Sequence, residues 1–189
     1  MGVSRKSVWR LTGSTVWVPV AVVVLVSFWV LEFDKAIISV ALSLAMIVIA
    51  ISDTRSFIIP DALSLPAVPC GLLVSGYLAD TGQFHWTVLE HLSAAAMSCV
   101  LILAIKEVYA RIRKREGLGL GDVNLAAVAG AWLGLSGFSQ ALLLACVLAI
   151  IVVTILHFQS GRPYRATTAV PFGAYFAPSI WLVWFLQQI

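Results

Sequence analysis

The sequence predicts an all-α polytopic membrane protein, a helix bundle of about seven transmembrane segments with its N-terminus in the cytoplasm. Three observations predict it. Hydrophobic residues fill 61% of the 189 positions and charged residues only 11%, and the mean hydropathy is +1.00. A soluble domain of that composition would carry a largely apolar surface. Seven apolar runs, at 15–32, 36–52, 62–79, 86–106, 122–136, 138–157 and 170–188, reach or approach the roughly 20 residues that a bilayer core requires. With the N-terminus inside, every one of the 12 basic residues except Lys35 falls in a cytoplasmic segment. Retention of Lys and Arg on one side is the force that orients membrane helices.

The first run follows Arg5, Lys6 and Arg10 and ends in Phe28-Trp29-Val30-Leu31-Glu32. It has no small-x-small cleavage site, so we read it as a retained helix and not a signal peptide. The second run ends at Ser52 and the third begins after Pro60-Asp61, a proline–acid pair typical of helix starts. The fourth runs on into Lys106-Glu107-Val108-Tyr109-Ala110-Arg111-Ile112-Arg113-Lys114-Arg115-Glu116. Basic side chains there snorkel or meet anionic lipid headgroups. The fifth is short, with Gly134, Ser136 and Gly137 crowding its end. A short helix lets water reach inward. The seventh opens on Pro171-Phe172-Gly173-Ala174-Tyr175, where a proline in the first turn loses no hydrogen bond. No repeat, low-complexity tract or second soluble domain interrupts residues 1–189, which read as one membrane-embedded domain. A net charge of +3 gives no reason to expect nucleic acid as a partner. Cys70, Cys99 and Cys146 have neither zinc-site nor disulfide spacing and read as small buried hydrophobes. His85, His91 and His157 read as interfacial. No metal site is expected.

Chemistry concentrates at two carboxylates. Asp53 follows the second run and Asp122 opens the fifth, so both inherit the cytoplasmic face. A carboxylate beside hydrocarbon is costly and tends to be functional. Asp122 lies at a helix N-terminus, whose dipole favours negative charge; Asp53 lies at a C-terminus, whose dipole opposes it. Two carboxylates in opposing fields suit an acid/base couple that shares one proton. The residues alone also allow simpler readings, with Asp122 an N-cap and Asp53 an interfacial loop carboxylate. Gly119 and Gly121 remove side chains beside Asp122, so another backbone or an extended substrate can come close. Asp61 reads as the structural cap of the third helix. Gly130 and Gly134, four apart, read as helix-packing residues.

Three segments in this order resemble the type IV prepilin peptidases, the GxGD-type aspartyl membrane proteases. They are Asp53 with Pro60-Asp61, Leu63-Ser64-Leu65-Pro66 and Gly71; Gly119-Leu120-Gly121-Asp122 through Gly134; and Val170-Pro171-Phe172-Gly173-Ala174-Tyr175. The likeness covers 36–189, with 1–35 as an additional N-terminal helix. It implies Asp53 and Asp122 as the catalytic aspartates, with Gly119, Gly121, Pro171, Phe172 and Gly173 shaping the substrate site. It implies a pilin or pseudopilin precursor as substrate, no cofactor, and residence in the inner (cytoplasmic) membrane. Asn124 stands where the family commonly has lysine. The Cys-x-x-Cys pairs of the larger, N-methylating members are absent, so the chain looks like the short, peptidase-only form of tight-adherence pilus systems. A proton-coupled transporter and an inactive component of a pilus or secretion assembly are the competing classes. Both aspartates at one membrane face argue against the transporter, whose sites lie near the midplane.

Overall fold

A computed structural model describes residues 13–80, 82–114, 117–160 and 170–189. Among them are six helices: α1 (Gly13–Val30), α2 (Phe33–Ser56), α3 (Asp61–Tyr77), α4 (Phe84–Arg113), α5 (Leu120–Ser160) and α6 (Gly173–Gln187). Each predicted apolar run falls on one of them, and the fifth and sixth share α5. α2, α4 and α5 are long and apolar enough to cross a membrane. α3 has 17 residues and α6 has 15. At about 1.5 Å per residue they fall short of a ~30 Å hydrocarbon core. The chain is an integral membrane protein.

Its surface is apolar and much of its buried polar content is serine. Trp17, Leu25, Trp29, Leu73, Val100, Leu143 and Ile150 point outward, while Ser27, Ser39, Ser43, Ser64, Ser98 and Ser179 are buried. In lipid, apolar side chains gain nothing by turning inward, so helix contacts rest on close packing and hydrogen bonds. Ser27 and Ser39 share a bond of 2.9 Å, and the Trp181 indole donates to Ser39 at 3.1 Å, which ties α1, α2 and α6 together. The cysteines depart from expectation: Cys70 and Cys146 sit on the outer surface and Cys99 is half-buried. A thiol is apolar enough to face lipid as readily as a core.

The first third of α5, residues 120–133, runs through the centre of the core. Leu125, Ala126, Val128, Ala129 and Ala131 are fully buried against α3, α4 and α6. Small residues permit this closeness. A methyl on Gly130 would lie 2.6 Å from the α4 backbone at Ala94 and Ala95. α5 then breaks at Gly134, whose φ of 68° and ψ of −178° are outside helical space and open to glycine. Gly134 is therefore a helix breaker, not the packing residue its spacing predicted.

A break leaves carbonyls without helical N–H partners, a cost lipid cannot relieve. Ala131 O accepts from Ser75 Oγ at 3.0 Å and from His91 Nδ1 at 3.0 Å. Leu133 O accepts from Gln187 Nε2 at 3.3 Å. His91 thus has a structural partner inside the bundle. It is half-buried and serves the α5 break.

Candidate active site

The site forms where the C-terminal turn of α2, the α2–α3 loop and the N-terminal turns of α5 and α6 converge. α2 ends because Phe57 takes left-handed backbone angles (φ 56°, ψ 32°), and its N–H closes the last turn onto Asp53 O at 2.9 Å. The loop is held by Ser52 Oγ, which donates to Ile58 O at 2.7 Å. These local bonds orient Asp53 inward, where it is only 5% exposed.

Asp53 is therefore the last inward-facing residue of α2, which runs to Ser56, four residues beyond the predicted end at Ser52, so that Asp53 lies inside the last turn and not after it. Its Oδ2 accepts from the Ala174 N–H at 3.0 Å. Gly173 and Ala174 form the first turn of α6, so the open N–H groups of that helix meet the carboxylate. This changes the field predicted at Asp53. The unfavourable end of α2 is opposed by the favourable end of α6, which sequence spacing had no means to reveal.

Asp122 is the third residue of α5, and its Oδ2 accepts from Gly119 N–H at 3.0 Å. The carboxylate reaches back over the helix start as the acidic residue of a capping box does. The bond occupies one oxygen and leaves the group half-buried at the end of the bundle. The negative charge of Asp53 acts on Asp122 through space, so the fold brings together two carboxylates 69 residues apart in sequence (122 − 53). Among the described residues neither has a basic partner within ion-pair distance.

The two glycines beside Asp122 play different parts. A methyl on Gly121 would lie 2.7 Å from Ile59 Cβ, so Gly121 makes room for the loop. A methyl on Gly119 would meet nothing closer than Asp122 Oδ2 at 3.6 Å, so Gly119 opens onto space beside the carboxylate. At Gly173 a methyl would come within 2.8 Å of Ile59 Cδ1 and 3.1 Å of Asp53 Oδ2. Phe172 is the residue before α6, and its ring packs on Phe176 with centroids 5.5 Å apart. Pro171 lies outside the helix and not in its first turn as expected.

Asp61 is also corrected. Pro60 occupies the N-cap of α3, and no side chain caps that helix. Asp61 is the first helical residue, and its Oδ1 accepts from Asn124 Nδ2 at 3.1 Å. Proline has already removed one N–H at the boundary, and the Asp61 carboxylate links α3 to α5 instead. Among the described residues no group of His, Cys, Asp or Glu has the placement to hold a metal ion.

A model of the type IV leader peptidase family matches residues 40–154, the stretch that carries Asp53, Asp61, Asp122 and Asn124. The chain belongs to the type IV leader peptidase family. Among relatives, the prepilin leader peptidase/N-methyltransferase of Xanthomonas campestris pv. campestris is 30% identical over 147 residues, 78% of this chain and 49% of that protein. The protein of the same description from Aeromonas salmonicida is 30% identical over 168 residues, 79% of this chain and 53% of its own length. That from Pseudomonas putida is 27% identical over 150 residues, 78% of this chain and 49% of its own length. The chain thus spans about half the length of the curated relatives it matches. No solved structure matches it. Gly173 and Ala174 lie outside the stretch matched by the family model, yet the fold of this family member sets them against Asp53.

Proposed function

We propose that this leader peptidase family member is an intramembrane aspartyl endopeptidase that removes the leader of type IV prepilin-like precursors at the cytoplasmic face of the inner membrane. The observation that carries the reading is the meeting of Asp53 and Asp122. Two carboxylates from different helices lie at one end of the bundle, beside the two glycines packed on Ile59, each accepting from a backbone N–H and, among the described residues, without a basic partner.

In this reading the ionised carboxylate takes a proton from water as the water oxygen bonds to the scissile carbonyl carbon. The protonated carboxylate gives its proton to the carbonyl oxygen. The resulting gem-diol then gives one hydroxyl proton to the ionised carboxylate while the protonated carboxylate gives its proton to the leaving nitrogen. The C–N bond breaks, giving an acid and an amine, and the pair again holds one proton. Gly119 leaves room beside Asp122 for an extended substrate backbone, whereas the space at Gly173 is taken by Ile59 and by Asp53 itself. In the proposed topology seven segments cross the membrane with the N-terminus inside, α5 contributing two of them. Arg55, Lys106, Arg111, Arg113 and Lys114 then share the aspartates' face, where a precursor's leader is also exposed. The 189-residue chain by itself is proposed to cleave without N-methylating, because its three cysteines form no Cys-x-x-Cys pair.

Co-expression with a candidate prepilin tests this. Wild type should release the leader, and Asp53→Asn and Asp122→Asn should each abolish release while remaining in the membrane. The double variant should be no worse than either, as members of one unit are not additive. The mass of the product made with purified chain and a methyl donor should be that of the free N-terminus. Near-normal cleavage by Asp53→Asn would overturn the dyad, and an added methyl group would overturn the peptidase-only assignment.

A further inference from the structure

The α2–α3 loop carries two adjacent isoleucines with opposite fates. Ile58 is 63% exposed, and Ile59 is 7% exposed. The left-handed turn at Phe57 and the Ser52–Ile58 bond aim Ile59 into the bundle end. There it lies against both backbones that serve the carboxylates. A methyl added at Gly121, directly before Asp122, would meet Ile59 Cβ at 2.7 Å and Cγ1 at 3.2 Å. One added at Gly173, directly before Ala174, would meet Ile59 Cδ1 at 2.8 Å. Neither glycine has positive φ, since among the described residues only Gly82 and Gly134 do. Their lack of a side chain therefore serves space and not backbone angle, and Ile59 fills that space.

We infer that Ile59 is a positioning residue that sets the spacing of Asp53 and Asp122. It is a wedge between the α5 turn carrying Asp122 and the α6 turn holding Asp53. The inference rests on the aspartyl-peptidase reading for its link to rate, though the wedge itself is a matter of packing. A branched side chain suits the place. Its Cβ and Cγ1 bear on Gly121 and its Cδ1 bears on Gly173, so one residue fixes two contacts. Close-packed interiors transmit such shifts instead of absorbing them. A displacement of about 1 Å at reacting groups costs on the order of a hundred-fold in rate.

Two readouts test it, one independent of cleavage. In a full chain with Cys70, Cys99 and Cys146 replaced by serine, Asp53→Cys and Asp122→Cys are joined by a short bis-thiol reagent. Cross-link yield should fall by a smaller factor with Ile59→Val, which loses only Cδ1 and with it the contact at Gly173, and several-fold with Ile59→Ala. With both aspartates restored, prepilin cleavage should show a fall in kcat for Ile59→Ala of about a hundred-fold at unchanged KM. Ile59→Val should lose a few-fold in kcat only, and it carries the test if Ile59→Ala does not stay folded in detergent. Unchanged yields and unchanged kcat in the folded variants would overturn the inference, as would a loss confined to KM, which would make Ile59 a substrate contact. If wild type cleaves nothing but cross-linking still depends on Ile59, the peptidase reading falls and the wedge stands.

Discussion

Gly119 and Gly121 stand two residues apart in one motif, yet alanine at each should have opposite consequences. At Gly121 the new methyl would lie 2.7 Å from Ile59 Cβ, 3.2 Å from Cγ1 and 3.3 Å from Cδ1. Carbon atoms rest about 3.5–4.0 Å apart, so something must move by roughly 1 Å. The nearest contact is a Cβ, fixed to the loop backbone, so the displacement falls on the backbone at one side or the other. Overpacking of this kind costs about 1–3 kcal/mol. If the α5 turn yields, Asp122 moves with it and cleavage drops on the order of a hundred-fold. At Gly119 the methyl would make only ordinary contacts, at 3.6 Å to Asp122 Oδ2 and 3.8 Å to Gly121 N, and its φ is not positive. Alanine there should leave stability unchanged or raise it by about 0.4–1 kcal/mol through the unfolded chain. It would occupy the open approach to Asp122, so KM for a prepilin should rise while the protein stays folded. Thermal unfolding in detergent, paired with steady-state cleavage, separates the two. A Gly121→Ala protein as stable and active as wild type would refute the packing argument. A Gly119→Ala protein that unfolds early would refute the reading of Gly119 as open to substrate.

Three further outcomes follow from the same contacts. Asp61→Asn keeps an acceptor for Asn124 and should retain stability and cleavage, whereas Asp61→Ala should cost about 0.5–1.5 kcal/mol in thermal unfolding; loss of cleavage by a folded Asp61→Asn would move Asp61 into the catalytic machinery. Ser75→Ala and His91→Ala each leave Ala131 O one donor, so each alone should be mild and the pair together should cost about 1–3 kcal/mol; strict additivity of small effects would mean that the carbonyl at the α5 break needs neither. With the native cysteines replaced, Ser56→Cys should react with an impermeant thiol reagent only after the membrane is opened and Gln83→Cys in intact cells, and reversed labelling would invert the proposed topology.

What the sequence determined by itself was the solvent and the placement of helices. Hydropathy and basic-residue bias are sums over many positions, and a single contact does not alter them. They placed the apolar runs on helices and put Asp53 and Asp122 near helix ends. The glycines before Asp122 were legible as a demand for space. Tertiary structure decided what fills that space. Ile58 and Ile59 are identical residues in one short loop, and only the left-handed turn at Phe57 makes one outward and the other a wedge. The Ala174 N–H that meets Asp53 comes from 121 residues away, where a backbone donor leaves no residue-specific mark. His91 and Ser75 looked like unrelated polar residues until the break at Gly134 exposed a carbonyl between them. Asp61 next to Pro60 resembled a cap because local signals report only local bonds, and its partner Asn124 lies 63 residues on. Periodicity and composition are written along the chain. The partners of a buried polar group are set by which helices lie side by side, and that is settled only when the bundle packs.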